Sequence, residues 1–116
     1  MKINSRLKTI GDLVPLSSYP LDIGCDHALL SIYLVKEKGM KKALASDNKS
    51  GPLKKPKENV NFYKVKDKVK LVEAEGLDSY EEGIDTITIS GMGGLNINKI
   101  LDDNKKCLKN INTLIL

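Results

Sequence analysis

The 116-residue chain has no tryptophan, one phenylalanine and four tyrosines. With so few aromatic rings, a platform that stacks the bases of a single strand is not expected. There is one histidine, and the two cysteines, Cys25 and Cys107, stand far apart. These do not make a His/Cys set with zinc-ligand spacing, so no metal site is expected and the thiols are expected to be free. No apolar run reaches the roughly 18 to 20 residues of a membrane span. Met1 to Ile10 lacks the apolar block of a secretory signal, which makes the cytoplasm the default location. No Gly-x-Gly-x-x-Gly follows a strand-like run, and no Walker loop is present, so nothing is built to anchor a pyrophosphate.

What remains is a globular composition, with 41% hydrophobic and 29% charged residues. Such a chain makes at most one domain, of modest stability. The net charge is +4 and is carried by lysine. Lysines crowd Lys36 to Lys42, Lys49 to Lys70 and Lys99 to Lys109. Two meanings stay open: an ordinary solvated surface, or attraction to a phosphate backbone.

Apolar periodicity gives the order of elements. Asn4 or Ser5 can cap a first helix carrying Leu7, Ile10 and Val14, and Pro15 ends it. A strand is expected near Tyr19 to Cys25. A buried helix is expected from Asp26 or His27 to about Lys38, stopped by Gly39. A second strand follows at Lys42 to Asp47, then a turn at Asn48 to Pro52, with Pro52 suited to a first helical turn. The next helix runs to about Tyr63, and Pro56 requires it to start late or irregularly. Strand three is Val69 to Ala74, with a short polar helix or turn after Gly76. Strand four is Ile84 to Ser90, where Ile87 and Ile89 alternate with threonines. Gly91-Met92-Gly93-Gly94 opens a helix from Leu95 to about Leu108, and Ile111 to Leu116 reads as strand five. Alternation of this kind predicts an α/β fold, a parallel sheet with helices on both faces.

The informative polar residues all fall at carboxyl ends of those strands: Asp22 to His27, Asp47, Glu75, and Ser90 to Gly94. Ligands bind such sheets at that edge, near the switch in strand order. Asp26 stands where a dinucleotide site would have its second glycine, and a carboxylate there repels a pyrophosphate. S-adenosylmethionine suits the pattern better. It has no phosphate, its ammonium and sulfonium are stabilised by carboxylates, and its ribose diol can be bound by an acid at the end of strand two. Asp47 lies 23 residues after Gly24, near the usual spacing of such an acid. Glu75, with the backbone of Gly76 and Leu77, is placed to reach the adenine amino group.

Asp22-Ile23-Gly24-Cys25-Asp26-His27-Ala28, together with Leu29 to Leu34, resembles the first motif of the bacterial TrmK-type tRNA (adenine-22 N1)-methyltransferases. Arg6-Leu7, Gly51-Pro52, Glu75-Gly76-Leu77 and Ser90-Gly91-Met92-Gly93-Gly94 fit the same family in order and spacing. Together they cover nearly the whole chain. The resemblance implies a class I methyltransferase fold, S-adenosyl-L-methionine as methyl donor and tRNA as substrate. It implies donor contacts from Asp22, Gly24, Asp26, Asp47, Glu75, Gly76, Leu77, Gly91, Met92 and Gly93, with Asp26 and His27 nearest the chemistry. The sequence departs from the family at Ser31, usually proline, at Leu30, usually aromatic, and at Asp47, usually glutamate. Pro56 also replaces a residue compatible with helix. Family members add two more strands and a helical C-terminal domain, so residues 1–116 are expected to be an incomplete domain, unstable or oligomeric alone.

The N1 lone pair of neutral adenine is already nucleophilic, so alignment and electrostatic support are the main needs. Asp26 near the methyl path can favour the cationic product, and His27 can orient the adenine or the donor. Plainer roles stay open beside these. Asp26 or His27 can cap the helix, Asp47 can be a turn acid, and Glu75 can be solvated surface. The glycines at 91, 93 and 94 can merely permit a turn, Met92 can be packing, and Cys25 a small buried residue. For the whole chain, two alternatives stand beside methylation of tRNA: a fragment without turnover, and a methyltransferase for another substrate.

Overall fold

Short β-branched and aliphatic segments with turn residues between them pair edge to edge, and the spacers of helical period cover the resulting sheet. The computed structural model describes residues 1–48 and 53–116. In chain order they form α1 (Ser5–Leu13), β1 (Pro20–Ile23), α2 (Leu29–Lys36), β2 (Ala43–Asp47), α3 (Lys54–Phe62) and β3 (Val69–Glu73). A single 3-10 turn at Gly76–Ser79 leads to β4 (Thr86–Ile89), α4 (Gly94–Asp103), α5 (Lys105–Leu108) and β5 (Thr113–Ile115). The five strands are parallel, in the order β3-β2-β1-β4-β5. The order reverses between β1 and β4.

The central strand β1 is buried along its whole length. Its odd residues, Leu21 and Ile23, join Leu44, Ile87 and Ile89 in a core on the side of the 3-10 turn and α4. The opposite face packs Ala43 and Ala45 beneath α2, with Val14, Val60 and Val65 in the same cluster. The alternation in β4 therefore reads as expected, with isoleucines on one face and Thr86 and Thr88 buried on the other. α1 lies on α2 through Gly11, where an added Cβ would meet the Tyr33 ring at 2.8 Å.

Several expected boundaries move. Asn4 caps α1, its Oδ1 accepting from the Leu7 amide at 2.8 Å. The buried helix begins at Leu29, later than Asp26 or His27, because Asp26 and Ala28 hold left-handed backbone with φ of +52° and +63°. Its cap position is Ala28, which makes no side-chain cap bond, so neither Asp26 nor His27 is the cap residue. α3 begins at Lys54, which puts the buried Pro56 in the first turn, where an amide has no intrahelical partner to lose. The expected helix from Leu95 to Leu108 is divided at Asn104, whose side chain donates back to the Ile100 carbonyl at 2.7 Å. The expected turn at Asn48 to Pro52, including Gly51-Pro52, lies outside the described residues except for Asn48.

Candidate functional site

Gly24 ends β1 with φ of +74°, and a Cβ there would lie 2.8 Å from the Met92 Cε. The positive φ is what favours glycine here, while the Met92 methyl is the mobile end of a flexible side chain and can give way. The amides of Gly24 and Cys25 both donate to the Ser46 carbonyl, at 2.9 and 2.8 Å. The Asp26 amide donates to Asp47 Oδ2 at 3.0 Å. From α3, Asn59 Nδ2 donates to the His27 carbonyl at 2.8 Å. Two neighbouring segments, the end of β2 and α3, thus hold an otherwise uncommon left-handed turn in place.

A cavity of about 550 Å³ opens over this turn, at the switch in strand order between β1 and β4. Asp22, Asp26 and Asp47 supply its carboxylates. Asp22 is 5% exposed, and its Oδ1 accepts from the Thr88 hydroxyl at 2.8 Å. Burial pushes the Asp22 carboxyl up to about 7, against the pull of the Thr88 hydrogen bond and with the added repulsion of Asp47. Asp26 and His27 are half exposed or more at the mouth, with His27 Nε2 3.9 Å from Asp26 Oδ1. Burial first, and then the carboxylates of Asp22, Asp47 and Asp26, push the Cys25 thiol up to about 12. It is a buried packing group and no nucleophile.

A second cavity of about 290 Å³ lies alongside and shares Gly24, Asn48 and Met92 with the first. Glu75, Gly76 and Lys99 line it. Asp22, Gly24, Asp26, His27, Asp47, Gly91 and Met92 therefore meet in the first cavity, while Gly24, Glu75, Gly76 and Met92 meet in the second. Two candidates line neither. The Leu77 side chain is buried in the core beneath the 3-10 turn, and Gly93 stands at the start of α4. Met92 is both packing and lining, since it touches the core and both cavities.

Sequence reasoning did not place Arg6 in the cleft. It is the chain's single arginine, and α1 carries it to the wall of the first cavity. Only the packing of α1 on α2 brings it there. Its rarity and the family fit of Arg6-Leu7 were the available signals.

A doubly wound parallel domain with an acidic, glycine-floored cleft at its topological switch is a nucleotide-binding domain of Rossmann type. The family described as a methyltransferase domain matches residues 3–116, and the chain belongs to that family. A tRNA (adenine(22)-N(1))-methyltransferase of Bacillus subtilis is 33% identical across the whole chain, which covers 49% of that relative. A Streptococcus pneumoniae protein crystallised with S-adenosyl-L-methionine superposes with a TM-score of 0.91 at 36% identity, over 97% of this chain and 54% of that one. TrmK of M. capricolum, in complex with S-adenosyl-homocysteine, gives a TM-score of 0.81 at 32% identity, over 92% of this chain and 49% of that one. The chain spans about half the length of the relatives it matches.

Proposed function

We propose that residues 1–116 form the donor-binding domain of a tRNA methyltransferase that modifies N1 of an adenine, using S-adenosyl-L-methionine. The observation that carries the reading is the meeting of Asp22, Asp26 and Asp47 around Gly24 at the strand switch, with Glu75 in the adjoining cavity. This donor set fits the molecule. Asp22 and Asp26 suit its ammonium, Asp47 its ribose diol, and Glu75 with the Gly76 backbone its adenine. Arg6 supplies a cation for its carboxylate. The likeness to relatives named as tRNA (adenine-N1)-methyltransferases supports the substrate and a cytoplasmic place of action. No helix among the described residues is long and apolar enough to cross a membrane.

When bound, the donor supplies an electrophilic methyl group: the N1–carbon bond forms as the carbon–sulfur bond breaks, and the positive charge passes from sulfur to the base. The chain's residues align and stabilise. Gly24 and Met92 define the floor between the cavities. Asp26, at the mouth, lowers the energy of the cationic base, and His27 beside it orients the ring. The unprotonated N1 needs no general base.

Calorimetric titration of the chain with S-adenosyl-L-methionine is expected to give one-site binding. Incubation with tRNA and labelled donor is expected to place the label on N1-methyladenine, identified by mass spectrometry. Absence of heat and of any thermal shift at millimolar donor overturns donor binding. Label on another base overturns the adenine assignment.

A further inference from the structure

We propose that the flank built from the end of α3, the loop to β3 and β3 itself is a second RNA-binding surface, with Phe62 stacking on an unpaired base and Lys57, Lys66 and Lys70 contacting phosphates. Phe62 is the only phenylalanine of the chain and is 76% exposed. It closes α3, and its ring meets Tyr63 edge to face at 4.9 Å. A large ring held in water by its neighbour is unusual for a helix whose apolar residues Pro56 and Val60 are buried.

The surroundings are strongly basic. Residues 54–70 carry seven exposed lysines against two acids, Glu58 and Asp67. Lys57, Lys66 and Lys70 line a groove of about 380 Å³ whose floor is Val60, Val69 and Leu71. Asn61, the residue before Phe62, lines the same groove. Lys55 pairs with Glu58 at 3.7 Å, and Lys70 with Glu81 at 3.0 Å. Both are exposed pairs, which a phosphate can displace readily.

Two plainer explanations cover only part of this. β3 is an outer strand of the sheet, and lysines on such an edge discourage pairing with other strands. That accounts for Lys68 and Lys70, yet it gives no reason for an exposed phenylalanine at the end of α3. A lysine-rich solvated face likewise has no use for the ring. An exposed ring on this lysine-rich segment, next in sequence to a residue of the groove, offers the two elements that hold unpaired nucleic acid: a stacking face and a cationic track. The scarcity of aromatics in the sequence argued against a run of stacked bases, and one ring supports one base only.

The place of this surface matters. α3 runs antiparallel to the strands, so Phe62 lies at their amino ends, away from the cleft. The domain measures 35 × 32 × 27 Å. An RNA that reaches both must span much of the domain, which suits a tRNA and excludes a mononucleotide. The inference rests on the proposal that the substrate is tRNA.

The test is fluorescence anisotropy of labelled tRNA with the 116-residue chain across a salt series. Phe62→Ala is expected to weaken binding about tenfold, as for loss of one stacked base. Phe62→Tyr is expected to retain affinity. Combined Lys57→Ala, Lys66→Ala and Lys70→Ala is expected to reduce the log–log salt slope by about 2 to 3. Donor binding by calorimetry should stay unchanged in each variant, showing that the fold is intact. Unchanged tRNA affinity and slope in both variants overturns the proposal, as does absence of tRNA binding by the parent chain. A third overturning result is Phe62-dependent binding to phosphatidylglycerol vesicles with tRNA affinity unaffected. Loss of tRNA affinity in the variants supports the surface whichever base is methylated, and normal methylation with unchanged affinity removes the surface alone.

Discussion

The carboxylate of Asp47, at the end of β2, accepts the backbone N–H of Asp26, in the turn after β1, at 3.0 Å. One acid therefore lines the cleft and also fixes the left-handed backbone that presents Asp26. The two duties separate by substitution. Asp47→Asn keeps an acceptor and removes the charge. It is expected to melt near the parent temperature and to bind S-adenosyl-L-methionine about 10- to 100-fold more weakly. Asp47→Ala removes the acceptor as well and is expected to lose about a further 1 kcal/mol of stability, read by denaturant unfolding.

Asp22 sets a pH dependence of definite sign. Burial raises its carboxyl from 3.8 to about 7 in the folded domain. The folded state therefore holds a proton that the unfolded chain releases near pH 4. Its stabilising effect is complete below that value and is lost as pH rises through about 7. Urea unfolding of the ligand-free chain should show stability falling by roughly 2–3 kcal/mol between about pH 5 and pH 8. Asp22→Asn, which keeps an oxygen for Thr88, should flatten that slope and weaken donor binding. A parent chain that gains stability over this window would contradict the assignment.

The same group links donor binding to protons. A cationic ligand beside Asp22 favours its ionised form, so binding below about pH 7 should release a proton. Affinity should rise with pH and level off above that value. Calorimetry in buffers of different ionisation enthalpy measures the proton directly, and Asp22→Asn should abolish the release.

Gly24 and Met92 form a steric pair. Gly24→Ala places a Cβ 2.8 Å from the Met92 Cε and forces alanine into a φ of +74°. A loss of about 1–3 kcal/mol is expected, with donor affinity falling in parallel. Met92→Ala in the same chain removes the contact and leaves the backbone strain. The double variant should recover part of the stability, and full recovery would show that the dihedral carries no cost.

Arg6 is exposed on α1, so its removal should spare the fold. Arg6→Ala is expected to weaken S-adenosyl-L-methionine binding about tenfold. Decarboxylated S-adenosylmethionine should bind parent and variant equally, because the group that Arg6 meets is missing. Equal losses for both ligands would place Arg6 elsewhere than at the carboxylate.

Much of the cleft was legible because each strand carries its polar residues just past an apolar run. Asp22, Asp47 and Glu75 announce themselves by position, and the parallel order then brings their ends to one edge. The turn at Asp26 was not legible. A helix starting at Asp26 or His27 satisfies local capping preferences, and the helix begins at Leu29 because the Asp47 side chain and the Ser46 carbonyl hold the preceding residues in another shape. The division at Asn104 was hidden for a similar reason, since periodicity continues through it and a side chain-to-backbone bond marks it.

Local chemistry written in the order of residues determined the five strands, the helices between them, the carboxylates at the strand ends and the absence of a phosphate anchor. These follow from periodicity, backbone freedom and charge, all of which act over a few residues. Only the tertiary structure decided the rest. It raised Asp22 toward neutrality by burying it, in spite of the Thr88 hydrogen bond, pressed Met92 onto Gly24, swung Arg6 into the cleft and left Phe62 in water on a lysine-rich segment. Each of these depends on which distant segment lies alongside, and burial and proximity are properties of the packed chain.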